Sequence, residues 1–175
     1  MQNLDIFSTD EVLALAELDL EREKFEDGLY KLKHLSQQGV INDELDAMLG
    51  STYAKLKLFN SSAEHYGRLL ERNDTRLHER FQFGMVNYEL GNNDVAIKCW
   101  DRVLETEPFY PPVLFHKALL LLELDQVEDA SRLLNTLLSS VEETNYYAEQ
   151  ATNIVKELDT LSARTERNQQ LVEVH

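Results

Sequence analysis

The chain has 175 residues, with 17 Lys and Arg against 32 Asp and Glu, a formal net charge of −15. That length suits one compact domain or a short repeat array, and the charge argues against nucleic acid or an anionic membrane surface as partner, because neutralising phosphate needs a basic face. Three Pro and six Gly argue against a turn-rich all-β fold, and the single Cys99 excludes an internal disulfide framework or a cysteine zinc site.

Residues 1–8 read as an N-terminal flank. The opening MQNLDIFSTD has neither a basic n-region nor an apolar segment, so no secretory leader is expected. Residues 1–27 hold nine acids against Arg22 and Lys24. A solvated helix face explains them, and a steering patch for a basic partner is the alternative. The longest strictly apolar run, Ala118 to Leu122, is far short of the roughly 20 residues a membrane span needs. A cytoplasmic setting without membrane insertion is expected.

From residue 9 the chain repeats with a beat of 34 residues. Small residues recur at Ala16, Gly50, Gly84 and Ala118, and again at Gly28, Ser62, Ala96 and Ala130. Large apolar residues recur at Leu32, Tyr66, Trp100 and Leu134, and others at Leu35, Leu69, Val103 and Leu137. Within a unit, Leu49, Tyr53 and Leu56, or Tyr66, Leu69 and Leu70, fall at helical spacing. Leu90-Gly91-Asn92-Asn93-Asp94 combines a left-handed helix end with caps for the next helix. Pro108 ends one helix and Pro111-Pro112 starts another. Each unit is therefore predicted to be two antiparallel helices, with small residues where the axes approach. The units are 9–42, 43–76, 77–110 and 111–144. Residues 145–161 continue an apolar stripe and are predicted to form a solvating helix over the fourth unit, leaving 162–175 as a polar tail expected to fray.

This pattern resembles the tetratricopeptide repeat, most closely at Phe83-Gly84, Leu90-Gly91, Ala96, Trp100, Val103 and Pro108, then at Leu49-Gly50, Tyr53, Phe59, Ser62, Tyr66 and Leu69. The motif's tryptophan place holds Val12, Asp46, Arg80 and Leu114 instead, and its tyrosine place holds Asp19 and Asn87 in two units. The resemblance implies an all-α superhelix of four helix-turn-helix repeats, with the first helix of each lining a concave groove. The residues it places in that groove are Leu13, Glu17 and Leu20, then Ala47, Met48, Ser51 and Ala54. Phe81, Gln82, Met85 and Tyr88 follow from the third unit, and Phe115, His116, Leu119 and Leu122 from the fourth. The clamp by which some members of the family hold the C-terminal carboxylate of Hsp70 or Hsp90 needs cations. Its places hold Leu13, Glu17, Met48, His78 and Gln82, or Ala47, Ser51, Gln82, Pro112 and His116, and Glu17 would repel a carboxylate.

No residues assemble for chemistry. His34, His65, His78, His116 and His175 have no ligand spacing, and no phosphate-binding glycine loop or nucleophile elbow occurs. Cys99 beside Trp100 reads as a buried thiol. The chain is therefore expected to be no enzyme and to use no metal or cofactor. It is expected to be an adaptor that takes a protein or peptide partner, an apolar peptide or helix, in the groove. Self-filling of the groove by the chain's flanks, or burial of these residues as core, is the competing reading. A chaperone for a hydrophobic client, as in type III secretion, and a self-assembling scaffold subunit forming a homo-oligomer are the other classes. Phe81→Asp or Phe115→Asp is expected to abolish partner capture while sparing helical content.

Overall fold

The computed structural model describes residues 3–173, with side chains over 3–161. The described residues are helical, without a β-strand. A 3-10 turn, Leu4–Ile6, precedes α1 (Thr9–Glu21) and α2 (Phe25–Gln37). Then come α3 (Asp43–Lys55), α4 (Phe59–Arg72), α5 (Leu77–Glu89), α6 (Asn93–Thr106), α7 (Pro111–Glu123), α8 (Val127–Ser140) and α9 (Tyr146–Glu173). The helices α1, α3, α5 and α7 begin 34 residues apart. The chain forms two compact units, Met1–Trp100 and Asp101–His175, and the division falls within α6.

Local chemistry sets the helix ends. Ser8 and Glu11 make a reciprocal capping box at the start of α1. The Asn42 side chain accepts from the Leu45 amide at the start of α3. Pro111 opens α7, where its missing N–H costs nothing. The turns after α1, α3, α5 and α7 share one geometry. Glu23, Lys57, Gly91 and Asp125 all adopt positive φ, from 58° to 77°. The amide after each donates back to Asp19, Tyr53, Asn87 and Leu121 respectively, a Schellman closure of the helix end.

The small columns have the expected physical role. A Cβ on Gly84 would stand 2.4 Å from Trp100 Nε1, and one on Gly50 would stand 3.0 Å from the Tyr66 ring. Glycine therefore lets these rings lie on the preceding helix. Trp100 is fully buried and its indole N–H donates to the Phe81 carbonyl at 3.3 Å. The Ser62 hydroxyl donates to the Gly50 carbonyl at 2.7 Å, tying α4 to α3.

Where the motif residues are missing, polar pairs tie the helices instead. Asp19 accepts from Lys31 at 2.5 Å, joining α1 to α2. Buried Asp46 accepts from Arg72 at 2.6 Å through Oδ2 and bonds His65 Nδ1 at 2.7 Å through Oδ1. His65 stacks on Tyr53 with ring centroids 5.6 Å apart. In the C-terminal unit the corresponding layer is apolar. Leu114, Phe115, Ala118, Leu121, Ala130, Leu134, Leu137 and Ala151 form one cluster, with Tyr147, Ile154, Val155 and Leu158 of α9 packed against it.

α9 extends to Glu173 rather than ending at 161, since Ser162 to Glu173 contains neither Gly nor Pro. The expected polar tail is thus helical backbone as far as that residue, while its side chains and residues 174–175 lie outside the described residues.

Candidate functional site

α1, α3 and α5 lie side by side in the N-terminal unit, each followed by its hairpin partner. On α1, Glu17, Leu20 and Glu21 fall at i, i+3 and i+4. On α3, Met48, Ser51 and Lys55 fall at i, i+3 and i+7. Those spacings put each set on one helix face, and the six residues line a depression of about 240 Å³. Leu20 leans on α2 at Gly28, where an added Cβ would stand 2.6 Å from Leu20 Cδ2. Met48 packs against the apolar cluster of Val12, Leu13, Leu45 and Leu49. The floor is thus apolar and anchored, and the rim is charged.

The structure brings Glu17, Leu20, Met48 and Ser51 together and adds Glu21 and Lys55. The sequence carried a signal for both additions: each lies one helical turn beyond a groove residue, four positions after Glu17 or Ser51. Ala47 and Ala54 are half-buried on the same helix, and Gln82, Met85 and Tyr88 are half-buried on α5. Other groove residues lie inside the fold. Leu13 is 8% exposed, Phe81 6% and Phe115 8%. An acidic replacement at Phe81 or Phe115 therefore strikes the core, and the expectation that it spares helical content does not follow from this burial.

His116, Leu119 and Leu122 are half-buried in the C-terminal unit, where α9 packs on both α7 and α8. Tyr147 sits with its ring centroid 5.5 Å from Phe115 and 6.0 Å from His116. Burial pushes the His116 imidazole below its ordinary pKa. In this unit the first helix of the hairpin is faced by the chain's own α9.

Asp46 and Cys99, two buried groups of the N-terminal unit, are held in structural settings. Both oxygens of Asp46 are taken, by His65 and Arg72. Cys99 is buried, and burial raises its thiol pKa, which suppresses the thiolate. Among the described residues, no group of three or more His, Cys, Asp or Glu could hold a metal ion. Among the same residues, no helix is long and apolar enough to cross a membrane.

No protein-family model matches the chain, and no curated protein matches it by sequence. Solved structures do. YrrB, described as a TPR protein with an unusual peptide-binding site, is 20% identical with a TM-score of 0.74, over 81% of this chain and 73% of that one. MamA is 14% identical with a TM-score of 0.74, over 94% of each chain. TTC0263, a thermophilic TPR protein of Thermus thermophilus, is 17% identical with a TM-score of 0.65, over 91% of this chain and 85% of that one. The fold is that of the tetratricopeptide repeat.

Proposed function

We propose that the chain is a non-catalytic protein-interaction module of the cytoplasm. In this reading an apolar segment of a partner lies in the depression of the N-terminal unit. One observation carries it: Leu20 and Met48 from two different helices converge on an open, apolar-floored depression with polar groups at its edge, the arrangement that gives a few buried anchors most of the binding energy. The peptide-binding site named for YrrB adds support by likeness of fold. In the C-terminal unit the corresponding apolar residues are already packed against α9. That favours a segment held in the N-terminal unit over a client spread along every repeat.

Photo-crosslinking in the native host tests the reading. A benzoyl-phenylalanine in place of Lys55, exposed at the edge of the depression, should trap a defined partner protein. The same probe in place of Glu64, exposed on α4, should not. Filling the depression by Ser51→Tyr should abolish trapping from a probe at Lys55 without altering the helical circular dichroism. Equal trapping from positions 55 and 64 would show that the depression is not the binding face.

A further inference from the structure

We infer that the partner segment is cationic: it sets an apolar side chain over Leu20 and Met48 and a Lys or Arg beside Glu17 and Glu21. This rests on the groove reading above and adds the chemistry of the partner. It begins with how the acids of the N-terminal unit are used. Asp19 is paired with Lys31, Asp43 and Asp46 with Arg72, and Glu44 and Glu79 with Arg76. Glu17 and Glu21, in common with exposed acids such as Glu26, Glu71 and Glu89, have no such partner among the described residues; what sets them apart is their place on the depression, where Lys55, the cation lining it, pairs with neither. Two carboxylates against one ammonium leave the rim net negative beside an apolar floor.

Their place on the helix makes the omission costly. α1 ends at Glu21, with no basic residue in its last turn and Arg22 at its cap, and Glu17 lies one turn earlier. A helix C-terminus carries negative partial charge, so acids there raise the free energy of the unbound protein. A cation delivered by a partner relieves both repulsions at once. A local rule broken beside an open apolar depression marks function rather than folding. A second copy of this chain is a poor occupant, since its net charge of −15 sets acid against acid. A basic amphipathic segment, with apolar residues at helical spacing and Lys between them, satisfies floor and rim together.

The test uses the full chain and three synthetic amphipathic peptides sharing one leucine pattern, with Lys, Gln or Glu at every polar position. Fluorescence anisotropy should rank them Lys over Gln over Glu, with Lys at least about fivefold tighter than Gln, as two partly exposed ion pairs allow. Glu17→Lys with Glu21→Lys should invert the Lys-over-Glu preference. The charge-matched control Glu71→Lys with Asp94→Lys, at exposed positions of α4 and α6 that do not line the depression, should leave the ranking in place. Glu21→Gln should weaken the Lys peptide while raising the Tm of the free protein by about 1–4 °C, which a purely structural glutamate would not do. Equal loss of the Lys peptide in the control pair, or equal affinity for Lys and Gln peptides, overturns the inference. The groove reading is judged separately: Ser51→Tyr should weaken every peptide that binds, and its failure to weaken any would sink that reading with this one.

Discussion

The two units solve the same packing problem differently. In the N-terminal unit, Leu20 and Met48 border an open depression between two first helices. In the C-terminal unit, Phe115 of α7 lies under Tyr147 of α9, and Ile154, Val155 and Leu158 join the same cluster. Burial at the repeated places is the same in both units, with Leu13 and Phe115 each 8% exposed and Leu20 and Leu122 each half-buried. The units differ in what lies beside the first helix, α9 in one and an open depression in the other.

Substitutions on the covered face and on the open face test that contrast. Phe115→Ala should cost about 3–5 kcal/mol, the range for emptying a buried aromatic site, and should appear as faster hydrogen exchange in α7 and α8. Leu20→Ala removes a half-buried side chain and should cost about 1–2 kcal/mol, since only part of its surface is out of water. Equal costs at the two places would erase the distinction between a filled and an open face.

A second contrast concerns the place where the repeat motif has tryptophan. In the fourth hairpin it holds fully buried Leu114, and in the second it holds Asp46 bonded to His65 and Arg72. Asp46→Ala strands the ring nitrogen of His65 and leaves Arg72 to Asp43, and about 2–3 kcal/mol should be lost, tempered by the partial exposure of Arg72. Replacing Asp46 and His65 together by Leu, copying Leu114 and Leu133 of the fourth hairpin, should restore much of the loss, because apolar packing substitutes well for a buried polar pair. A urea-unfolding double-mutant cycle reads the coupling.

Much of this was legible in the sequence. The 34-residue beat announces the hairpins because helix–helix contact demands small residues in fixed places, and Gly50 and Gly84 meet Tyr66 and Trp100 as that argument requires. The polar ties were not legible. Asp19 and Asp46 look like departures from a motif until Lys31, His65 and Arg72, on the second helix of the same hairpin, are seen to answer them. The site was legible only in part. Repeat places yield Glu17, Leu20, Met48 and Ser51, but Glu21 and Lys55 follow from helical neighbourhood. The burial of Leu13, Phe81 and Phe115 depends on packing that a one-dimensional pattern does not carry.

His116 sharpens the comparison through pH. Burial between Phe115 and Tyr147 depresses its folded-state pKa below the ordinary 6.5. On acidification the unfolded chain takes up this proton first, so stability is full above about pH 6.5 and falls as pH drops toward the depressed folded value. One proton limits the slope to about 1.4 kcal/mol per pH unit. His116→Gln should flatten that part of the profile, and the difference from wild type should localise to exchange in α7 and α9. A parallel profile for the two proteins would place no titration burden on this contact.

The smallest effect concerns the turns that both units share. Glu23, Lys57 and Asp125 occupy the left-handed geometry that Gly91 adopts without strain. A side chain with a Cβ costs about 1–2 kcal/mol there, less for Asp, whose short polar group tolerates it. Glycine recovers part of that cost and loses part through the added freedom of the unfolded chain. Lys57→Gly should therefore stabilise the second hairpin by about 0.5–1 kcal/mol, and Asp125→Gly should help the fourth by less. Both side chains are exposed, so the gain comes from backbone geometry and should survive high salt. Urea midpoints for Lys57→Gly, Lys57→Ala and Asp125→Gly separate the causes. A gain for Lys57→Ala equal to that for glycine would assign the effect to lost charge rather than to the left-handed turn.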